Sequence, residues 1–143
     1  MPGHTYGSIA LIDADNRACY TGDCCNVYTL LFLPGSTTIE EYRYSLLHFK
    51  ESQHKFDVCW GGHGIGSVPA SVIDEGIQLC DEILAGTDDA VETDYTGRPC
   101  IYAKKKDDHF RRLDGGVMNI AYSREMLHRR PHPVIKGEPN LYR

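Results

Sequence analysis

The stretch Arg17-Ala-Cys-Tyr-Thr-Gly-Asp-Cys-Cys25 is a short β-prone run that stops abruptly on Gly22-Asp23. Upstream lies a second run of the same kind, GSIALID (7–13), and the turn residues Ala14-Asp15-Asn16 separate the two. Paired in this way, the runs predict a β-hairpin. Downstream, CCNVYTLLFLPGS (24–36) reads as a loop with an apolar insertion, closed by Pro34-Gly35-Ser36. A helix is expected over STTIEEYRYSLLHFKESQ (36–53), with Thr37 and Glu40 as a capping box. Ile39, Tyr42, Leu46 and Phe49 recur there at helical spacing.

Farther along, FDVCW (56–60) predicts a short buried strand that runs directly into GGHGIGS (61–67). A second helix is expected from about Pro69, with Ile73, Ile77, Cys80 and Leu84 on one face and Gly86 as its C-cap. DYTGRPCIYAKKKDD (94–108) and GGVMNIAYS (115–123) each read as a strand, joined by the polar HFRRLDGG (109–116). The expected order is hairpin, helix, strand, helix, strands, in a single domain over 1–143. About residues 129–143 form a basic, proline-bearing tail, expected to be loosely held.

Composition narrows the function classes. Of 143 residues, 41% are hydrophobic and 24% charged, the balance of an ordinary globular domain. Twenty acids against fifteen Lys plus Arg leave a net charge of −5, which argues against a nucleic-acid partner. No run approaches the roughly 18 apolar residues of a membrane span. No basic-then-apolar leader pattern opens the chain. The six cysteines show no CxxC pair, so free thiols and a cytoplasmic location are expected.

Three residues share one context, a short glycine-containing segment at the end or entrance of an apolar run. They are His4 in GHTYGS, Asp23 in TGDCC and His63 in CWGGHG. Loops at strand ends are where side chains converge on ligands, and glycine allows the turns this needs. Two imidazoles and a carboxylate suit a divalent transition metal, although each residue taken singly is also a common turn former. His48, His54, His109, His128 and His132 lie on helix, connection or tail and are expected to be solvated or capping.

Taken in order, GHTYGSIALID, YTGDCCN and FDVCWGGHG resemble the C-terminal half of a metallo-β-lactamase-superfamily hydrolase. The resemblance covers roughly Gly3 to Gly86 and extends to the two later strands. It implies an α/β (α+β) fold, half of a four-layer αββα sandwich, with one mixed β-sheet and helices on one face. It also implies metal roles for His4, Asp23 and His63, with Asp23 as the catalytic carboxylate bridging two ions. The ion would be zinc, or iron or manganese, and the reaction hydrolysis of a small ester, thioester or related substrate by metal-activated water. Thr5 and Ser8 would shape the His4 loop through hydroxyl hydrogen bonds.

Tyr6, Trp60-Gly61 and Cys24 depart from the family pattern, and the Cys24 thiol is a conceivable extra ligand. The main departure is that H-x-H-x-D-H, the family's principal ligand motif, does not occur in this sequence. One chain therefore cannot fill two sites, since catalytic zinc usually takes three protein ligands. The expectation is an N-terminally truncated, half-length unit, inactive as a single chain. A sheet-on-sheet homodimer or a complementary N-terminal half would complete it. A non-catalytic dimerising or binding module and one subunit of a split hydrolase are the alternatives.

Overall fold

The computed structural model describes residues 1–63 and 66–129. The expected tail therefore lies outside the described residues, apart from Arg129. The fold is α+β, with two helices and two mixed four-stranded sheets.

The first sheet holds β1 (Leu11–Asp13), β2 (Ala18–Gly22), β4 (Val58–Gly61) and β5 (Ser67–Pro69), in the order β1-β2-β4-β5. β1 and β2 form the expected hairpin, with Leu11 opposite Tyr20. β2 and β4 run parallel, with Cys19 opposite Cys59 and Tyr20 opposite Trp60. A parallel pair needs a long crossover. Helix α1 (Ile39–Lys50) lies within it and buries Ile39, Tyr42, Leu46 and Phe49, the four residues its spacing predicts.

The capping box of α1 sits one residue later than expected. Thr38 Oγ1 accepts from Glu41 N at 3.2 Å, and the Glu41 carboxylate accepts from Thr38 N at 3.0 Å. Both Thr37-x-x-Glu40 and Thr38-x-x-Glu41 fit the motif, and tertiary contacts choose between them. Thr37 is drawn inward, where its backbone N and its hydroxyl both donate to the Gly3 carbonyl.

Helix α2 (Val72–Ala85) packs against α1 and ends at Gly86, whose φ of +67° is the left-handed cap that glycine adopts without strain. Beyond it, the stretch expected to start one strand is a hairpin of β6 (Val91–Tyr95) and β7 (Arg98–Tyr102) turning on Thr96-Gly97.

A single sheet is not what forms. The segment read as a loop contains β3 (Tyr28–Leu31), which pairs in parallel with β8 (Asn119–Tyr122), giving a second sheet in the order β3-β8-β7-β6. β3 is separated from β2 because Asn26 interrupts the chain between them, its Oδ1 accepting from Tyr28 N at 2.7 Å. Thr29 and Leu31 then point into the main core, while Tyr28 and Leu30 on the opposite face pack against a second cluster of Cys100, Tyr102 and Ala121.

One buried cluster joins both sheets to the helices. Cys19, Cys59 and Val68 come from the first sheet, Leu31, Ile101 and Ile120 from the second, and Leu46, Ile73 and Leu79 from the helices. The helices thus cover the inner face of the first sheet, while Tyr20 and Trp60 on its other face stay exposed. No helix among the described residues is long and apolar enough to cross a membrane.

Candidate metal centre

Parallel strands β2 and β4 end side by side at Gly22 and Gly61, and Gly62 N donates to the Gly22 carbonyl at 3.0 Å. Asp23 follows one strand and His63 the other, so their side chains leave the same sheet edge. His63 Nε2 lies 3.3 Å from Asp23 Oδ2. The imidazole is 85% exposed and the carboxylate 34%, so the pair is open to solvent on the histidine side.

The backbone beneath the pair is closely packed. A Cβ on Gly62 would lie 2.7 Å from Asp23 Oδ1, so this approach requires glycine. A Cβ on Gly61 would meet Asn26 Cβ at 2.7 Å. Asn26, itself buried, donates from Nδ2 to the Gly22 carbonyl at 3.3 Å and to Asp23 Oδ1 at 3.4 Å. It ties the Asp23 loop to the start of β3.

His4 is held differently. Its Nδ1 lies 3.0 Å from the Leu30 carbonyl, which can only accept, so Nδ1 carries the proton. In the neutral ring that leaves the Nε2 lone pair unprotonated, the arrangement found in many metal-ligating histidines. Ser36 Oγ donates to the His4 carbonyl at 2.8 Å. Within the loop, the Thr5 and Ser8 hydroxyls lie 2.9 Å apart and Thr5 N donates to Ser8 Oγ at 3.2 Å. Tyr42 links the His4 and Asp23 loops. Its hydroxyl donates to the Cys24 carbonyl at 2.8 Å, and its ring underlies Gly3.

The three residues singled out in the sequence therefore divide into a contacting pair, Asp23 and His63, and a neighbouring loop that carries His4. Among the described residues no group of three His, Cys, Asp or Glu side chains is arranged to hold a metal ion. The donor chemistry fits a divalent ion, with a carboxylate, an exposed imidazole and a pinned imidazole, but the three do not form one assembled set.

Cys24 does not extend the set. It is fully buried, its Sγ lies 2.8 Å from the Thr21 carbonyl, and burial pushes its thiol up to about 11. The same desolvation raises Cys19 to about 11 and Cys59 to about 12. All six cysteines are free and buried.

Asn26 and Tyr42 are the positioning residues that sequence reading missed. Asn26 carried one signal, an Asx residue just after a Gly-Asp strand end. Tyr42 was legible only as a core aromatic. A groove of about 640 Å³ opens along α1 between Tyr6, Ile12 and Tyr44, but none of His4, Asp23 and His63 lines it. A scan against protein-family models matches no family to this chain, and a search of curated proteins finds no match either.

Proposed function

We propose that this chain is a metallo-β-lactamase-like, metal-dependent hydrolase unit acting on a small ester, thioester or related molecule. The reading rests above all on the 3.3 Å approach of Asp23 to His63 at the ends of two adjacent parallel strands. Zinc suits this mixed nitrogen and oxygen donor set, with iron and manganese as the alternatives. When bound, such an ion polarises a carbonyl and makes water a nucleophile at neutral pH.

The chain's own residues do the holding. Asn26 and Gly62 fix the direction of the Asp23 carboxylate, His63 closes on it from the neighbouring strand, and the Leu30 carbonyl keeps the His4 tautomer ready to ligate. A partner supplies the remaining ligands, either a second copy or a complementary N-terminal half carrying H-x-H-x-D-H. Six buried free thiols support a reducing, cytoplasmic setting, and the net charge of −5 favours a small substrate over nucleic acid.

A second reading, a non-catalytic binding module, is favoured by the exposure of Tyr20 and Trp60 on the uncovered sheet face. The test is calorimetric titration of the chain with Zn²⁺, alongside hydrolysis of generic esters and thioesters. Wild-type protein is expected to bind, with Asp23→Asn and His63→Ala each weakening affinity by about tenfold or more. Zinc uptake absent from wild type, or unchanged in both variants, overturns the metal centre. Hydrolysis lost in His63→Ala separates the enzyme from the module.

A further inference from the structure

The groove along α1 follows one face of the helix from end to end. Glu40, Tyr44, His48 and Ser52 line it at successive helical turns, and Tyr6 and Ile12 line it from the N-terminal segment. Phe49 is buried in the core beneath it, whereas Tyr44 is 72% exposed, Tyr6 49% and Ile12 38%. Contiguous apolar surface of this kind marks an interaction site. The chain itself runs to its mouth. Arg129, the last described residue, also lines the groove. Three contacts fasten this segment to the start of α1. Glu40 N donates to the Leu127 carbonyl at 3.1 Å, Arg129 N donates to Glu40 Oε2 at 2.9 Å, and Arg129 Nε lies 3.7 Å from Glu41 Oε1.

We infer that the chain's own next segment, Arg130-Pro-His-Pro-Val-Ile-Lys136, occupies this groove, running from Glu40 toward Ser52. Length fits. The helix rises about 18 Å between Glu40 and Ser52, and six extended residues at about 3.1 Å each span that distance. Val134 and Ile135 then arrive at the Phe49 end. Chemistry fits as well. Pro131 and Pro133 favour an extended backbone and carry no N–H to leave unpaired in an apolar groove. Aromatic walls such as Tyr6 and Tyr44 are what proline-bearing segments dock against.

Charge and tethering select this occupant. Arg130, Lys136 and Arg143 against Glu138 give residues 130–143 a net +2, so the chain's −5 leaves −7 on the remainder. Lys136 reaches the level of Glu51, whose side chain is 74% exposed beside Ser52. A segment that starts at the groove's mouth has an effective concentration of about a millimolar, so weak contacts suffice to seat it. A separate ligand must displace it. The basic residues after Arg129 thus act as a built-in cover for the α1 face. The inference does not rest on the metal reading, because none of His4, Asp23 and His63 lines the groove.

The test uses the full chain with Gly137→Cys carrying a nitroxide, read by paramagnetic broadening of backbone amide signals. All six native cysteines are buried, so the label goes to the introduced thiol. The expected result is strong broadening at Phe49 and Ser52, the far end of the groove. Tyr44→Glu, at an exposed position, lowers the docked-to-free ratio by about tenfold and restores those signals. Broadening centred instead on Glu40 and Glu41, where the segment leaves the chain, overturns the inference. So does broadening at Phe49 and Ser52 that survives Tyr44→Glu. Broadening passed from spin-labelled to unlabelled chains in a mixed sample puts a second copy's segment in the groove and overturns it too.

Discussion

At Gly62 an added methyl group would lie 2.7 Å from Asp23 Oδ1, the far end of a flexible side chain with solvent on one side. The carboxylate can swing away, so Gly62→Ala is expected to change stability by no more than about 0.5 kcal/mol. The displaced carboxylate loses its place beside His63, so under the proposed metal reading zinc affinity is expected to fall by about tenfold. A thermal melt and a zinc titration on the same sample separate the two effects. Asp23 and His63 were legible in the sequence because glycine beside a strand end is a local signal. The role of Asn26 was not, because it depends on Gly61 arriving from a strand far away in the chain.

Helix α1 shows the same division one scale up. Its apolar face and its start were readable to within a residue from spacing and the Thr-Thr-x-Glu-Glu sequence. Which threonine caps it was decided by the demand of the Gly3 carbonyl for Thr37. Thr38→Ala is therefore expected to cost about 1 kcal/mol, read as a lower urea midpoint at unchanged slope. Thr37→Ala leaves the capping box and the backbone bond from Thr37 N to the Gly3 carbonyl in place but removes the hydroxyl bond to that carbonyl, and hydrogen exchange should quicken in the His4 loop. β3 went unread because YTLLF is apolar on both faces, so it lacks the alternation that separates a strand from an apolar loop.

Across the whole molecule, ion pairs join separate elements and brace one connection. Arg17 holds Asp57 at the entries of β2 and β4, and Lys50 of α1 holds Asp74 of α2. Arg112 holds Asp114 in the β7–β8 connection. In each case the hydrogen bond from the cation is the largest cause of a carboxyl held below its ordinary value. A lowered folded-state value means that this stabilisation is present above the unfolded carboxylate range, about 3.9, and is lost as pH falls through the lower folded value. Urea midpoints are expected to drop between about pH 5 and pH 2, and less steeply in Asp74→Asn and Asp114→Asn than in wild type. Sequence alone determined the two helices, the first hairpin and the glycine-flanked strand ends, because caps, turns and hydrophobic periods act between near neighbours. Only the tertiary structure decided that the strands divide into two sheets, that Tyr28 pairs with Asn119, and that Tyr20 and Trp60 face outward. Those outcomes depend on pairing between distant segments and on which face the helices cover, and no short window of sequence contains either.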